Sequence, residues 1–383
     1  MKKLSLLAAL ILFGCGGLPV AGGGKPAPVA SWFMEGGDAG RSGRGAPGQS
    51  GSLSSGHATA LVDQPGYQPE EYATPVIAGP VAYVGHAGRA FQAVLWRTGE
   101  VLWTFRTRGR VFSTAALAAD RLFFGDDQGD VIALTTEGKE VWRFRVQYPV
   151  VASPVAAAGR VFVPCSDQNI YCLDAATGKP LWQHGRKLPR RSSIWRGLGL
   201  AWGGGRLYAG FADGSVTALD PDIGRVLWKV ELAKEGLFSD VVAGPSFRDG
   251  RVYVGTLRGP AACLEAETGK EVWRQEVEAA SGFAVGDELV YAGTAGGSVV
   301  ALSKSDGAKV WEVLLDGGVS TPPTLAGDAL LAGASRGSLY LIDARTGEVR
   351  RKHSSGSGQR GQPATFEEGV AFLSNAGVLH WLR

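Results

Sequence analysis

One frame, written again and again along the chain, limits what it can fold into. In the stretch 206–228, RLYAGFADGSVTALDPDIGRVLW, alternating apolar residues end at Gly210 and the chain turns at Asp213-Gly214. It then runs out over Val216 to Leu219, turns again before Gly224 and ends on Trp228. Period-two alternation broken by Asp-Gly is a hairpin signature, so the unit supplies two strands and the start of a third. Measured from the strand-ending glycine, a small residue stands at +8, a turn glycine at +14 and a tryptophan at +18. Gly85, Ala93, Gly99 and Trp103 obey this frame, as do the sets led by Gly210, Gly255 and Gly293, which end on Trp228, Trp273 and Trp311. The copy from Gly125 to Trp142 is one residue short in its second turn. Another begins on Pro164 but keeps Cys172, Gly178 and Trp182. The seventh keeps Gly333 and Gly347 and places Arg351 where tryptophan is due, and an incomplete eighth runs from Val370 to Arg383.

Each copy follows a short opening strand, and there are eight: 74–76, 113–115, 153–155, 198–200, 244–246, 282–284, 321–323 and 362–364. A period of about 40 residues with four short strands per copy marks a β-propeller. The expected fold is all-β, an eight-bladed β-propeller of four-stranded antiparallel blades. Composition agrees, with 57 glycines in 383 residues and no helical stripe of any length. A closed ring has one continuous set of blade interfaces, so residues 57–383 form one domain. The last blade lacks its outermost strand, and His57 to Val62, HATALV, is the candidate to supply it from the N-terminal side and hide two open sheet edges. Ala30 to Met34 is the rival candidate.

Ahead of the ring, Lys2 and Lys3 precede an apolar run from Leu4 to Phe13 that is too short to span a bilayer. A charged start, a short apolar core and Gly14-Cys15 describe an export signal over 1–15. Cys15 resembles the lipobox cysteine of bacterial lipoproteins, which implies acylation there; an ordinary signal peptide with an incidental cysteine is the alternative. Gly16, in place of Asp, implies by the same resemblance sorting to the outer membrane. Residues 16–56 are rich in Gly, Ser, Ala and Pro and read as a flexible tether, because they bury too little surface to offset ordering. One island, Trp32 to Asp38, is similar to the opening motif of quinoprotein-like repeat proteins and is a candidate to dock on the ring.

Trp103, Trp142, Trp182, Trp228, Trp273 and Trp311 hold one place in the repeat, so their role is performed once per blade. Burying an indole removes ~150–250 Å², worth roughly 4–6 kcal/mol before entropy. Stacking between blades is therefore the expected role, not ligand binding. The run Leu173-Asp174-Ala175-Ala176-Thr177-Gly178 before Trp182 resembles the tryptophan-docking motif of pyrroloquinoline quinone (PQQ) propellers. That resemblance raises dehydrogenase activity, but those enzymes are much longer and carry adjacent cysteines and a calcium site. This chain has neither a Cys-Cys pair nor a compact cluster suited to a hard cation. No catalytic, metal or cofactor residues are assigned. The five histidines, His57, His86, His184, His353 and His380, show no metal-ligand spacing. Cys172 and Cys263 fall at +8 and read as small core residues. Cys165 and Cys172 flank one hairpin, and a bridge or two free thiols are both compatible with the sequence.

The departures from the repeat are where function is expected. After Trp182 the link carries Arg186, Lys187, Arg190 and Arg191 around Leu188-Pro189. A solvated loop would account for it, a loop that docks another protein is the sharper reading, and nucleic acid is not the expected partner of an exported chain of net charge +3 with no aromatics interleaved in the run. Here the chain, from about Thr74 to Arg383, resembles the BamB family of outer-membrane assembly lipoproteins. In that family the loop carries Leu-Ser-Leu-Arg, matched by Leu188 and Arg191 but not by Pro189 and Arg190; a second segment, Ser-Asp-Val-Asp, is matched at Ser239, Asp240 and Val241 but not at Val242. The resemblance implies a lipid-anchored periplasmic scaffold in the outer membrane, monomeric within a complex, touching a BamA-like partner through Leu188, Arg190, Arg191 and Asp240. A PQQ-dependent enzyme and a periplasmic or surface binding module are the alternatives.

Overall fold

The structure is a computed structural model that describes residues 30–45, 53, 56–62, 70–185, 198–233 and 240–383. Among these residues there is no helix, and the strands form eight antiparallel sheets. Blade 1 runs outward from the axis through Val76–Ala78, Val81–His86, Ala90–Leu95 and Glu100–Arg106. Blades 2 to 7 repeat that order over 116–145, 155–184, 199–231, 243–275, 279–314 and 324–353. Blade 8 joins Ala364–Phe366, Gly369–Leu373 and Val378–Leu382 to an outermost strand, Gly56–Ala60, from the other end of the chain. Its register runs from Gly56 opposite Leu382 to Ala60 opposite Val378, so the expected N-terminal strand closes the ring. The rival segment has another place: Ala30–Trp32 pairs with the innermost strand of blade 1 and gives that sheet a fifth member.

Several innermost strands start two or three residues later than the sequence pattern suggests, for example at Val76, Ala116 and Val155. The residues ahead of them bond between blades instead of within a sheet. The Gln362 amide donates to Thr74 Oγ1 at 3.0 Å, the Thr74 amide to Thr114 Oγ1 at 2.8 Å and the Thr114 amide to Ser153 Oγ at 2.9 Å. A belt of hydroxyls thus ties blades 8, 1, 2 and 3 around the axis.

The fixed offsets of the frame are the coordinates of one contact. Each +8 residue lies directly across the sheet from the tryptophan, as Ala93 from Trp103, Cys172 from Trp182 and Cys263 from Trp273, and the register slips by one residue beside it. A small side chain there leaves room for the indole. The ring then reaches the next blade, where its Nε1 donates to a carbonyl of the outer turn: Trp103 to Thr136, Trp142 to Ala175, Trp182 to Pro221, Trp228 to Ala266, Trp273 to Lys304 and Trp311 to Ala344, all at 2.8–3.1 Å. It packs on the turn glycine of that blade. A Cβ at Gly138, Gly178, Gly224, Gly269, Gly307 or Gly347 would lie 2.6–2.9 Å from the indole, and all six have φ between 69° and 81°. Glycine is required twice over, by backbone and by contact.

Two seams lack this contact. Between blades 7 and 8, Leu53, Leu331, Leu341, Val370, Phe372 and Leu382 form an apolar cluster where Arg351 stands in place of tryptophan. Between blades 8 and 1, Trp96 packs on Phe366 at 4.8 Å between ring centroids, with Trp381 in the same cluster, and Thr59 Oγ1 donates to the Gly99 carbonyl at 3.4 Å.

Substituting Gly250 and Gly269 separates the two demands on glycine. Both have φ near +70°, but a Cβ at Gly250 meets nothing within 4 Å. Gly250→Ala is expected to cost about 1–2 kcal/mol for its backbone, and Gly269→Ala ~1–3 kcal/mol more for overlap with Trp228. Denaturant unfolding of the two variants measures this, and equal costs would remove the stacking account.

Candidate partner-binding face and central well

The N-terminal island expected to dock, Trp32 to Asp38, does so, and together with the residues around it the segment reaches every blade. Of the tether expected over 16–56, residues 30–45 are seated in the ring, because their glycines let the backbone approach the inner strands closely. Besides the Ala30–Trp32 pairing on blade 1, the Phe33 carbonyl accepts from Leu117, that of Ala39 from Trp202, that of Gly40 from Phe247, that of Ser42 from Val285 and that of Gly43 from Leu325, at 2.6–2.8 Å. The Arg41 guanidinium donates to the Ser153 carbonyl at 2.6 Å, and the Gly36 amide to Gln362 Oε1 at 2.9 Å. Those partners belong to blades 2, 4, 5, 6, 7, 3 and 8. Met34 is buried among residues of blades 2 to 4. The sequence signal was the glycine spacing of Gly36-Gly37, Gly40 and Gly43: a Cβ at Gly40 would lie 2.7 Å from the Phe247 carbonyl oxygen and one at Gly43 2.6 Å from that of Phe283.

This segment stops the central channel at one end and leaves a blind well of about 780 Å³. Glu35, Gly36 and Arg41 line it from the plug; the connections between blades line the rest, among them Tyr72, Phe112, Ser153, Leu198, Pro245, Pro322 and Arg360. The well therefore opens on the face where each outermost strand passes to the next blade, the connection face. The opposite, turn face carries the outer turns that receive the tryptophans.

Charge in the well is balanced pairwise. Glu35 holds Arg41 at 3.1 Å, Glu70 holds Arg360 at 2.6 Å and Asp127 holds Arg110 at 2.7 Å. The cations also lie over rings, Arg110 on Phe112 and Arg360 on Tyr72. Among the described residues no group of three or more His, Cys, Asp or Glu side chains is placed to hold a metal ion. With its three acids each tied to an arginine, the well does not fit a quinone with a hard cation beside it.

Of the sequence-predicted site residues, Cys15, Leu188, Arg190 and Arg191 lie outside the described residues. Leu198, where the described chain resumes, lines the well. Asp240 is buried at 5% exposure, and its carbonyl accepts the Leu257 amide at 3.1 Å, so it sits inside the connection into blade 5 and not on its surface. Cys165 and Cys172 are separate buried thiols, both pushed up to about 12 by burial, and no bridge joins them.

Titratable groups missed by sequence reasoning gather at the two seams without tryptophan. Glu71 is fully buried, accepts the Ala87 amide at 3.0 Å and is pushed up to about 8 by desolvation. His86, next to Ala87, is pulled down to about 4 by burial and then by Arg106. His380, stacked on Phe372 at 4.8 Å, is pulled down to about 4 by burial and then by His353.

The ring is a β-propeller of the PQQ-like repeat class. The sequence profile described as "Outer membrane protein assembly factor BamB" matches residues 85–259 and 213–368. The chain belongs to this family. Proteins with that description from Burkholderia pseudomallei and Bordetella pertussis are 25% identical over 161 residues and 24% identical over 295 residues, covering 42% and 75% of this chain and 42% and 76% of theirs. With the Burkholderia relative, then, the alignment spans less than half the relative's length. A quinoprotein ethanol dehydrogenase of Pseudomonas aeruginosa is 32% identical over 95 residues, 24% of this chain and 15% of that enzyme. Among solved structures, BamB from Moraxella catarrhalis superposes with a TM-score of 0.75 at 19% identity over 85% of this chain and 98% of that one. A europium-containing methanol dehydrogenase gives 0.73 at 15% identity over 91% and 90%. Both likenesses establish the fold alone.

Two measurements test the plug and the seams. Gly43→Val, with its φ of +67° and the Phe283 and Ala284 backbone in the way, is expected to unseat the segment and expose 30–45 to limited proteolysis; a protected segment would deny it a hub role. For pH, Glu71 has a folded value above its unfolded one, so its contribution is full below about 4.5 and lost as pH rises through about 8. His86 and His380 have folded values below 6.5, so theirs is full above about 6.5 and lost as pH falls to about 4. The melting temperature should peak between about pH 6 and 7, and Glu71→Gln should flatten the alkaline side; an unchanged alkaline slope would remove Glu71 from this account.

Proposed function

We propose that this chain is a non-catalytic, lipid-anchored scaffold of outer-membrane β-barrel protein assembly. In this reading Cys15 is acylated and holds it on the periplasmic side of the outer membrane, and the connections around Leu188, Arg190, Arg191 and Asp240 grip a BamA-like partner. The observation that carries it is the family match across residues 85–368, which takes in six whole blades and parts of the other two. In sequence the quinoprotein ethanol dehydrogenase matches 95 residues, 15% of its own length, and among the described residues no group of three or more acids, histidines or cysteines is placed to hold a cation. The scaffold acts by geometry: hydrophobic seams hold the blades rigid, so the connections between them sit at fixed spacing, and two neighbouring connections present one surface to a partner. Asp240 serves from inside, holding the backbone of its connection through burial and the Leu257 bond.

The well supports a second reading, a binding module that takes a small ligand at the axis. Affinity isolation from membranes separates the two. Arg191→Glu is expected to cut recovery of a barrel-assembly partner several-fold, since reversing a charge at a docking contact replaces attraction by repulsion. Undiminished recovery, with the ring folded, would remove the partner loop from the proposal.

A further inference from the structure

In six of the eight blades, the exceptions being blades 5 (Gly259) and 7 (Gly337), the hairpin turn between the second and third strands places a residue in the left-handed region four places past the frame's strand-ending position. Gly129, Gly214, Gly297 and Gly377 supply it, with φ of 86°, 79°, 85° and 71°. Blade 1 places Arg89 there, at φ 58°. The turn itself is unchanged: the Arg89 carbonyl accepts the Thr107 amide at 3.1 Å as the Gly129 carbonyl accepts that of Val146 at 2.9 Å. Only the side chain departs, at a backbone angle that L-residues disfavour. Gln168, at φ 66°, is the other such residue at this position, and its use is internal, since it is buried and accepts the Ala212 amide at 3.0 Å. Arg89 is exposed and has no such task.

What Arg89 faces is a concavity of about 370 Å³ lined also by Ala87, Arg108, Arg110, Asp127 and Gln128. It shares Ala87, Arg110 and Asp127 with the rim of the central well, so it lies on the connection face between blades 1 and 2. Six arginines stand near this corner: Arg89, Arg108 and Arg110 line the cleft, Arg106 pairs across the sheet with Ala90, and Arg143 and Arg145 reach Asp130 beside Arg108. Four acids answer them. Asp130, fully buried, takes Arg143 and Arg145 at 2.7 and 2.8 Å and leaves Arg108 at 3.8 Å; Asp127 takes Arg110, Glu140 takes Arg143 at 2.8 Å, and Asp126 caps backbone amides. Among the described residues no ion pair or hydrogen bond engages the side chains of Arg89 or Arg106. Two positive charges are left over beside a cleft walled by guanidinium groups.

We propose that this cleft is a phosphate-binding site, in which Arg89, Arg108 and Arg110 bind a phosphate-bearing ligand. Guanidinium forks match phosphate oxygens in pairs. A phosphate dianion balances the excess that a single carboxylate would leave half open. The inference does not depend on the scaffold reading, because it rests on a departure within blade 1 and not on the partner loops.

Isothermal titration of the intact protein at low ionic strength with inorganic phosphate, pyrophosphate and polyglutamate tests it. Saturable binding is expected, tighter for pyrophosphate than for phosphate. Arg89→Gly should weaken it about tenfold, the loss of one charge-assisted contact, while leaving the melting temperature unchanged or higher, because glycine is what the turn prefers. Arg106→Ala should weaken it less. Sedimentation with phosphatidylglycerol vesicles, compared with phosphatidylcholine, tells a lipid headgroup from a soluble source: Arg89-dependent pelleting places the phosphate on a lipid, and pyrophosphate binding without pelleting places it in solution. No saturable binding to any phosphate probe, an affinity indifferent to Arg89→Gly, or preference for polyglutamate over pyrophosphate would overturn the proposal.

Discussion

An indole laid on a glycine of the neighbouring blade is the contact on which this ring depends. It joins residues that lie in different repeats, so no blade completes its own core. The contact also explains why the frame is so strict. The +8 residue must be small because it stands across from the tryptophan, the strand must slip register beside it, and the +14 residue must be glycine because the preceding blade's ring occupies the space a Cβ would need. Changing any one offset would misplace the others. The copy in blade 2, a residue short between Ala133 and Trp142, keeps the contact because its carbonyl acceptor moves with the turn, to Thr136, two residues before Gly138 instead of three.

That contact is made six times, and a ring of eight needs eight seams. The two exceptions flank blade 8, the blade assembled from both ends of the chain. Its outer strand arrives as Gly56–Ala60, and no strand-to-strand turn exists there to offer a glycine to blade 7. Aliphatic packing, an aromatic cluster around Trp96 and the Arg97–Glu368–Arg383 ion pairs fill the gap. The same seams carry Glu71 and His86, which are buried, and His353 and His380, which are half-buried; desolvation favours the neutral form of each. Ring closure is therefore a part of the molecule whose stability depends on pH, whereas the six regular seams rest mainly on apolar burial around the indoles. The plug offsets this weakness, because a segment bonded to all eight blades resists any widening of the gap at blade 8.

Much of the ring was legible in the sequence. The offsets gave the blade count, the tryptophan role and the closing strand at residues 57–62, because they encode a repeated contact and repetition is visible in a linear text. The innermost strands were placed a few residues early, since Thr74, Thr114 and Ser153 look like strand residues but spend their polar groups between blades. The plug was half legible. Its motif stood out, but a Gly-rich composition is shared by flexible tethers and by backbone that must approach other backbone closely, and only the three-dimensional contacts tell them apart. Glu71 and His380 carried no signal, because burial, the cause of their shifts, is a property of the fold. Asp240 was chosen by likeness to a family segment, which says nothing of whether a carboxylate points outward.

A ring of near-identical blades gives no single blade a task by virtue of the repeat, so anything specific must come from what breaks it. Several of the breaks fall on one side. The well, the arginine corner at Arg89 and the ends that flank residues 186–197 belong to the connection face, while the turn face is sealed at the axis by the plug. The direction of the plug adds a reason. Ala30–Trp32 runs antiparallel to Val76–Ala78, whose own direction is toward the turn face, so the described plug begins on the turn-face side and runs toward the well. Fourteen residues separate Ala30 from Cys15, a reach of at most ~50 Å. If Cys15 is acylated as proposed, an anchor within that reach of Ala30 would leave the connection face, with the well and the arginine corner, open to a partner.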